Sequence, residues 1–241
     1  YEYFQPNLTR RNFINPANIA MYVRNIIDYQ AMLNVSRIIS PTILFESFND
    51  PWSQISLTLA NASASYYAEL ENVPPILISI CFSESALSNF DALNEFLDMI
   101  SLLGVQGFYL IIKRNGNGGP SIDATILSNL MYMCYSLSTV NKYEVVLGYT
   151  DFIGIPLYTT GITAFSCGWF NSLREFSVWH FQPSTGGRRP SPRYSSAQLL
   201  NAILIIPELQ SIYQRGLINS IISNTNYDNM LRANPTDAPW T

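Results

Sequence analysis

Residues 75–82 read PILISICF and residues 107–113 read GFYLIIK, and these two runs, whose starts lie 32 residues apart, decide the fold. Their apolar side chains are nearly continuous, whereas a strand with one wet face would alternate apolar and polar residues. Strands buried on both faces belong to parallel sheets covered by helices. Working outward, further β-rich runs lie at 42–47, 143–149 and 162–167, and the first four starts are 32 to 36 residues apart. That interval holds one strand, one crossover helix and two loops.

Helix punctuation fills the gaps. Asn15-Pro16 and Asp50-Pro51 each pair an N-cap residue with proline at the first helical position. Ser88 with Asp91 forms a capping pattern before FDALNEFLDMISLL, and Gly118-Gly119-Pro120 opens a helix through SIDATILSNLMYMCYSL. After residue 167 the interval breaks. GWFNSLREF reads as a short helix, SVWHF as a short strand and 182–195 as a loop, while SSAQLLNAILIIPELQSIYQRG reads as a final helix kinked near Pro207.

The fold class expected is α/β, a (β/α) TIM-barrel-like parallel sheet forming one domain over 1–223, with a polar C-terminal tail over 224–241. The helical pattern at 16–39 has no strand before it and the strand count falls short of eight, so a barrel lacking its N-terminal strands, and an upstream segment, are expected. The alternative is an open doubly wound sheet. No glycine-rich dinucleotide fingerprint follows the first strand.

Composition limits the classes of function. Hydrophobic residues make up 48% and charged residues 12%, so the chain has the material for a packed core and is not a disordered one. Thirteen basic against seventeen acidic side chains give −4, which argues against a general nucleic-acid or anionic-membrane binder while leaving local basic patches open. No apolar run is long enough for a membrane span and no signal-peptide order is present, so no membrane partner and a cytoplasmic location are expected. The triplets at Asn7, Asn34 and Asn61 match glycosylation sequons by composition alone. Cys81, Cys134 and Cys167 are odd in number and widely spaced, as reduced core thiols are, and with His180 the only histidine no zinc site of structural type is expected.

Parallel sheets present ligands at the carboxyl ends of their strands. Glu46 and Asn49 follow the first run, Ser79, Ser83 and Glu84 end the second, and Lys113 and Arg114 end the third. Tyr149 and Asp151 follow the fourth, Ser166 the fifth, and His180 and Gln182 the last short run. Glu46 and Asp151 are the candidate catalytic residues, because two carboxylates in one mouth can divide acid and base roles; the alternative for each is a helix N-cap or an ion pair with Lys113 or Arg114. Lys113, Tyr149 and Ser166 are candidate substrate-binding residues. KRNGNGGPS at 113–121 runs into a helix start but lacks a Walker ending. STGGRRPSPRY at 184–194 carries Arg188, Arg189 and Arg193, whose guanidinium forks suit phosphate or carboxylate.

GITAFSCGWFNSLREF at 161–176, with VVLGYTDF at 145–152, is similar to the late barrel strands of the tRNA-guanine transglycosylase superfamily. The likeness implies a barrel. That family places an aspartate nucleophile at a late strand end and a Cys/His zinc site after it; here Ser166 stands near the nucleophile's place and the zinc ligands are absent. The resemblance implies a divergent or inactive member, or one acting on another substrate. Two function classes follow: a barrel enzyme acting on a phosphorylated or otherwise anionic substrate such as a nucleotide or nucleic acid, and a catalytically silent barrel serving as a subunit of a larger assembly. The sequence identifies no cofactor.

Overall fold

The computed structural model describes residues 9–114, 122–168, 174–178, 191–226 and 228–237. The chain divides into two compact units, Tyr1–His180 and Phe181–Thr241, where the sequence suggested one domain over 1–223 and a tail over 224–241.

In the first unit, α1 (Pro16–Ala31) leads to two short strand pieces, β1 (Ile38–Ile39) and β2 (Leu44–Phe45). Then follow α2 (Pro51–Tyr67), β3 (Ile76–Ser83), α3 (Phe90–Ile100), β4 (Gly107–Lys113), α4 (Ala124–Tyr135), β5 (Glu144–Gly148), α5 (Gly154–Tyr158) and β6 (Ala164–Phe165). All strands are parallel, in the order β1-β3-β4-β5-β6, with β2 also on β3. The parallel reading of the apolar runs holds.

β1 and β2 are one edge strand broken in the middle. Ile38 lies opposite Ile76 and Phe45 opposite Phe82, so the edge strand carries one residue more than β3 over the same span. Pro41 sits in the break, and a proline has no N–H for the ladder. At the break the Ser40 hydroxyl serves as a ladder acceptor, taking a hydrogen bond from Ser79 N at 2.9 Å, while Ser40 N donates to Leu77 O at 3.0 Å.

Side-chain alternation separates the two faces of the sheet. Ile76, Ile78, Ile80, Phe82, Phe108, Leu110, Val145 and Leu147 share one hydrophobic cluster with buried residues of α1, α2, α3 and α4. Leu77, Cys81 and Ile111 are buried on the opposite face, outside that cluster. The helices therefore lie on one face, and the strand order never reverses, so the described strands show no switch point of a doubly wound sheet. The sheet is open among the described residues: β6 is not paired with β1 or β2, and a complete barrel is not formed.

On the face away from the helices, Arg37 Nε donates to both carboxylate oxygens of Glu144, at 3.2 and 3.3 Å. This pair joins the amino ends of β1 and β5 across β3 and β4. Gly107 lets β4 and β5 approach closely beneath this pair's register, because a Cβ there would fall 1.9 Å from the Glu144 carbonyl oxygen.

The second unit holds an antiparallel hairpin, β7 (Arg193–Ser196) with β8 (Asn201–Leu204), then α6 (Gln210–Gln214) and α7 (Asp228–Ala233). The long final helix expected from the sequence is thus replaced by a hairpin and a short helix. Leu200, in the left-handed region at φ 48, forms part of the turn, and Ile206 is extended at φ −125, ψ 125. The unit has its own core of Tyr194, Ile203, Ile205, Leu209, Ile218, Ile221, Ile222 and Leu231. Leu231 and the buried Asp228 show that the segment after residue 223 is packed. Asp228 accepts from Thr225 N at 2.6 Å and from the Tyr194 hydroxyl at 3.3 Å.

Candidate functional site

Because every strand of the first unit points the same way, Glu46, Lys113, Tyr149, Asp151 and Ser166 all fall at the carboxyl end of the sheet. One carboxylate fixes the first of them. Asp50 accepts from Glu46 N at 3.0 Å and Ser47 N at 3.3 Å through Oδ2, and from Trp52 N at 2.6 Å and Ser53 N at 2.9 Å through Oδ1. The N-cap of α2 therefore also shapes the loop that carries Glu46.

Lys113 Nζ donates to Glu46 Oε1 at 2.6 Å, bridging from the end of β4 over β3 to the end of β2. The Lys113 ammonium, helped by the Ser83 hydroxyl, holds the Glu46 carboxyl below its ordinary value against the opposing effects of burial and Asp50. Ser83 is fully buried opposite Lys113 in the β3–β4 ladder, and Ser85 Oγ donates to its hydroxyl at 3.0 Å. Beside this pair lies a second, Arg114 Nε to Glu84 Oε2 at 2.5 Å. The two differ in solvent access: the Lys113 and Glu46 side chains are 31% and 57% exposed, those of Arg114 and Glu84 only 12% and 13%.

The far side of this edge is aromatic. Tyr149 adopts φ +53 immediately after Gly148, a conformation uncommon for a bulky residue. Its ring meets Phe176 edge-on at 5.5 Å, and Phe176 forms a parallel bridge with Lys113. The Tyr109 ring lies across Gly148, where a Cβ would come 2.1 Å from the hydroxyl, and burial, with Tyr149 adding, pushes that phenol up so that it stays protonated.

The remaining candidates are engaged separately. Asp151 Oδ1 accepts from Ile153 N at 3.0 Å and so caps the turn into α5. Glu46 and Asp151 sit on β2 and β5 positions three interstrand steps apart, about 14 Å along the sheet. Ser166 continues the β6 ladder, donating from N to Leu147 O at 2.8 Å and accepting from Thr150 N at 2.9 Å, and its side chain is exposed. Arg193 belongs to the second unit and donates to Ala202 O at 3.0 Å within the hairpin. Arg188, Arg189, His180, Gln182 and residues 115–121 of the glycine-rich loop lie outside the described residues.

One cysteine departs from the core reading. Cys81 and Cys134 are buried, but Cys167 is exposed next to Ser166, because the two-residue strand β6 ends before reaching it. Sequence reading also missed the Arg37–Glu144 pair, the fourfold grip of Asp50 and the place of Phe176. Asp50-Pro51 signalled the cap but not its second task.

Among the described residues no group of three or more His, Cys, Asp or Glu side chains is placed to hold a metal ion. No described helix is long and apolar enough to cross a membrane. Comparison with known protein families, with curated proteins and with solved structures finds no match to this chain.

Proposed function

We propose that this chain is a barrel-type enzyme whose substrate, phosphorylated or otherwise anionic, meets the sheet at the carboxyl end around Glu46 and Lys113. The observation that carries this reading is the solvent-open Lys113–Glu46 pair, at 2.6 Å, on a loop held by four backbone hydrogen bonds to Asp50. An ionised, positioned carboxylate accepts protons, and the neighbouring ammonium attracts an anionic group. The unreversed strand order and the single helix layer support a barrel lineage, as does the likeness of residues 161–176 to the transglycosylase superfamily. Tyr149, strained at φ +53, fits a ligand contact, since such conformations cluster at functional sites. The chain would be tested for turnover against a panel of phosphorylated metabolites and nucleotides. Turnover that Glu46→Gln removes supports the reading. No turnover on any anionic substrate would leave the silent-subunit reading.

That second reading has its own observation. Lys113 and Arg114 are each matched by a carboxylate of the same chain, and β6 is an edge strand two residues long whose outer side is unpaired among the described residues. A partner chain that continued the sheet at this edge would register as a stable complex in sedimentation analysis.

A further inference from the structure

The two ion pairs at the carboxyl end look alike in sequence, each joining a Glu to the end of β4, but they differ in what opening them costs. Glu84 and Arg114 are almost out of water, so separating them would strand buried charge. Glu46 and Lys113 both reach solvent, and an exposed pair of this kind favours its closed form by no more than about fivefold. The first pair is a brace; the second opens readily. Around the second the structure supplies what an incoming anion needs. Lys113 offers its ammonium, the exposed Ser85 hydroxyl lies two residues beyond Ser83, and the Cys81 thiol on the same strand face stays uncharged, pushed up to about 12 by burial.

We infer that Lys113 is an anion receptor which Glu46 occupies when no ligand is present, so that a phosphate or carboxylate group exchanges with Glu46 and releases it. The inference rests on the enzyme reading above and adds its order of events: binding comes first and frees the base. Glu46 is suited to be the displaced group, because Asp50 anchors the backbone at Glu46 and Ser47 and leaves only the side chain to swing. Once released, the carboxylate is free to accept a proton through an Oε atom from a neutral group of the substrate that carries the anion, and itself becomes the carboxylic acid. An internal competitor multiplies apparent affinity by the fraction of time it leaves the site free, so its removal raises affinity by the inverse of that fraction.

The probe is inorganic phosphate, titrated calorimetrically into the full chain at low ionic strength, with circular dichroism confirming the fold of each variant. Glu46→Gln is expected to bind phosphate about three- to fivefold more tightly than the wild type. Glu46→Asp keeps the charge but falls short of Lys113, and is expected to tighten binding as well. Lys113→Met is expected to abolish it. If Lys113→Met abolishes binding but neither Glu46 variant tightens it, Lys113 receives anions without exchange: the inference is overturned and the anionic-substrate reading stands. Tightening in Glu46→Gln alone reports loss of a charge, not release of a contact, and overturns the inference likewise. Phosphate binding that is absent, or indifferent to Lys113, removes both.

Discussion

Cys81 and Cys134 are buried, and burial pushes both thiols up to about 12, so neither supplies a thiolate near neutral pH. Cys167 is exposed. A thiol reagent at pH 8 is expected to label one cysteine in the native chain and all three after unfolding, and rapid native labelling of a second would contradict the burial described for the sheet and α4. Glu46 gives a dependence of opposite kind. Its carboxyl is held below the ordinary value by Lys113, so its stabilising contribution is present above the unfolded pKa and is lost as pH falls through the lowered folded value. Exposure of the pair limits that contribution to less than about 1 kcal/mol. The urea midpoints of wild type and Glu46→Gln are therefore expected to differ slightly at pH 6 and to converge at pH 3. Both residues were legible as strand-end candidates because the apolar runs stop at them. An ion pair of Glu46 with Lys113 or Arg114 was the sequence alternative to a catalytic role, but the choice of Lys113 was not legible, since 67 residues separate the two in sequence and a whole strand separates them in space.

Strand β4 was legible to the residue, because an unbroken apolar run bounded by Gly107 and Lys113 has one natural length. The caps at Asn15 and Asp50 were legible too, since proline at the next position leaves few alternatives. The capping pattern at Ser88 was misplaced by one residue: Asn89 caps α3, accepting from Ala92 N at 3.1 Å. Strand β8 was read as helix, and most of β7 as loop, for a physical reason: a short, mostly apolar stretch such as LLNAILII carries no period to separate strand from helix. The edge strand was read as 42–47 alone, whereas Ile38–Ile39, placed by the sequence reading at the end of the helical pattern over 16–39, lies beyond the end of α1 at Ala31 and pairs with β3. Gly107 supplies a test at this scale. A Cβ there would overlap the Glu144 backbone, which belongs to the paired strand and has little freedom to retreat, so Gly107→Ala is expected to cost about 3 kcal/mol. Gly104→Ala, with nothing within 4 Å, is expected to leave the urea midpoint unchanged or slightly raised. Equal effects of the two substitutions would contradict the close β4–β5 approach.

Each of the two units has a hydrophobic cluster of its own, which no pattern along the sequence announced, because the apolar residues after 193 merge with those of a presumed final helix. A fragment ending at His180 is expected to keep cooperative unfolding and an α/β circular dichroism spectrum; a non-cooperative melt would show that the first core depends on the second unit. The unreversed strand order has a further consequence, in time. From β3 to β6 each new strand pairs with the one made before it, so no strand waits for a later one to fill a gap in the sheet. The first unit can therefore assemble in the direction of synthesis, each β-α step docking on a finished edge as it leaves the ribosome. Chains truncated after α4 should already protect the amides of β3 from hydrogen exchange, and protection that appears only once β6 is present would show that the sheet forms all at once.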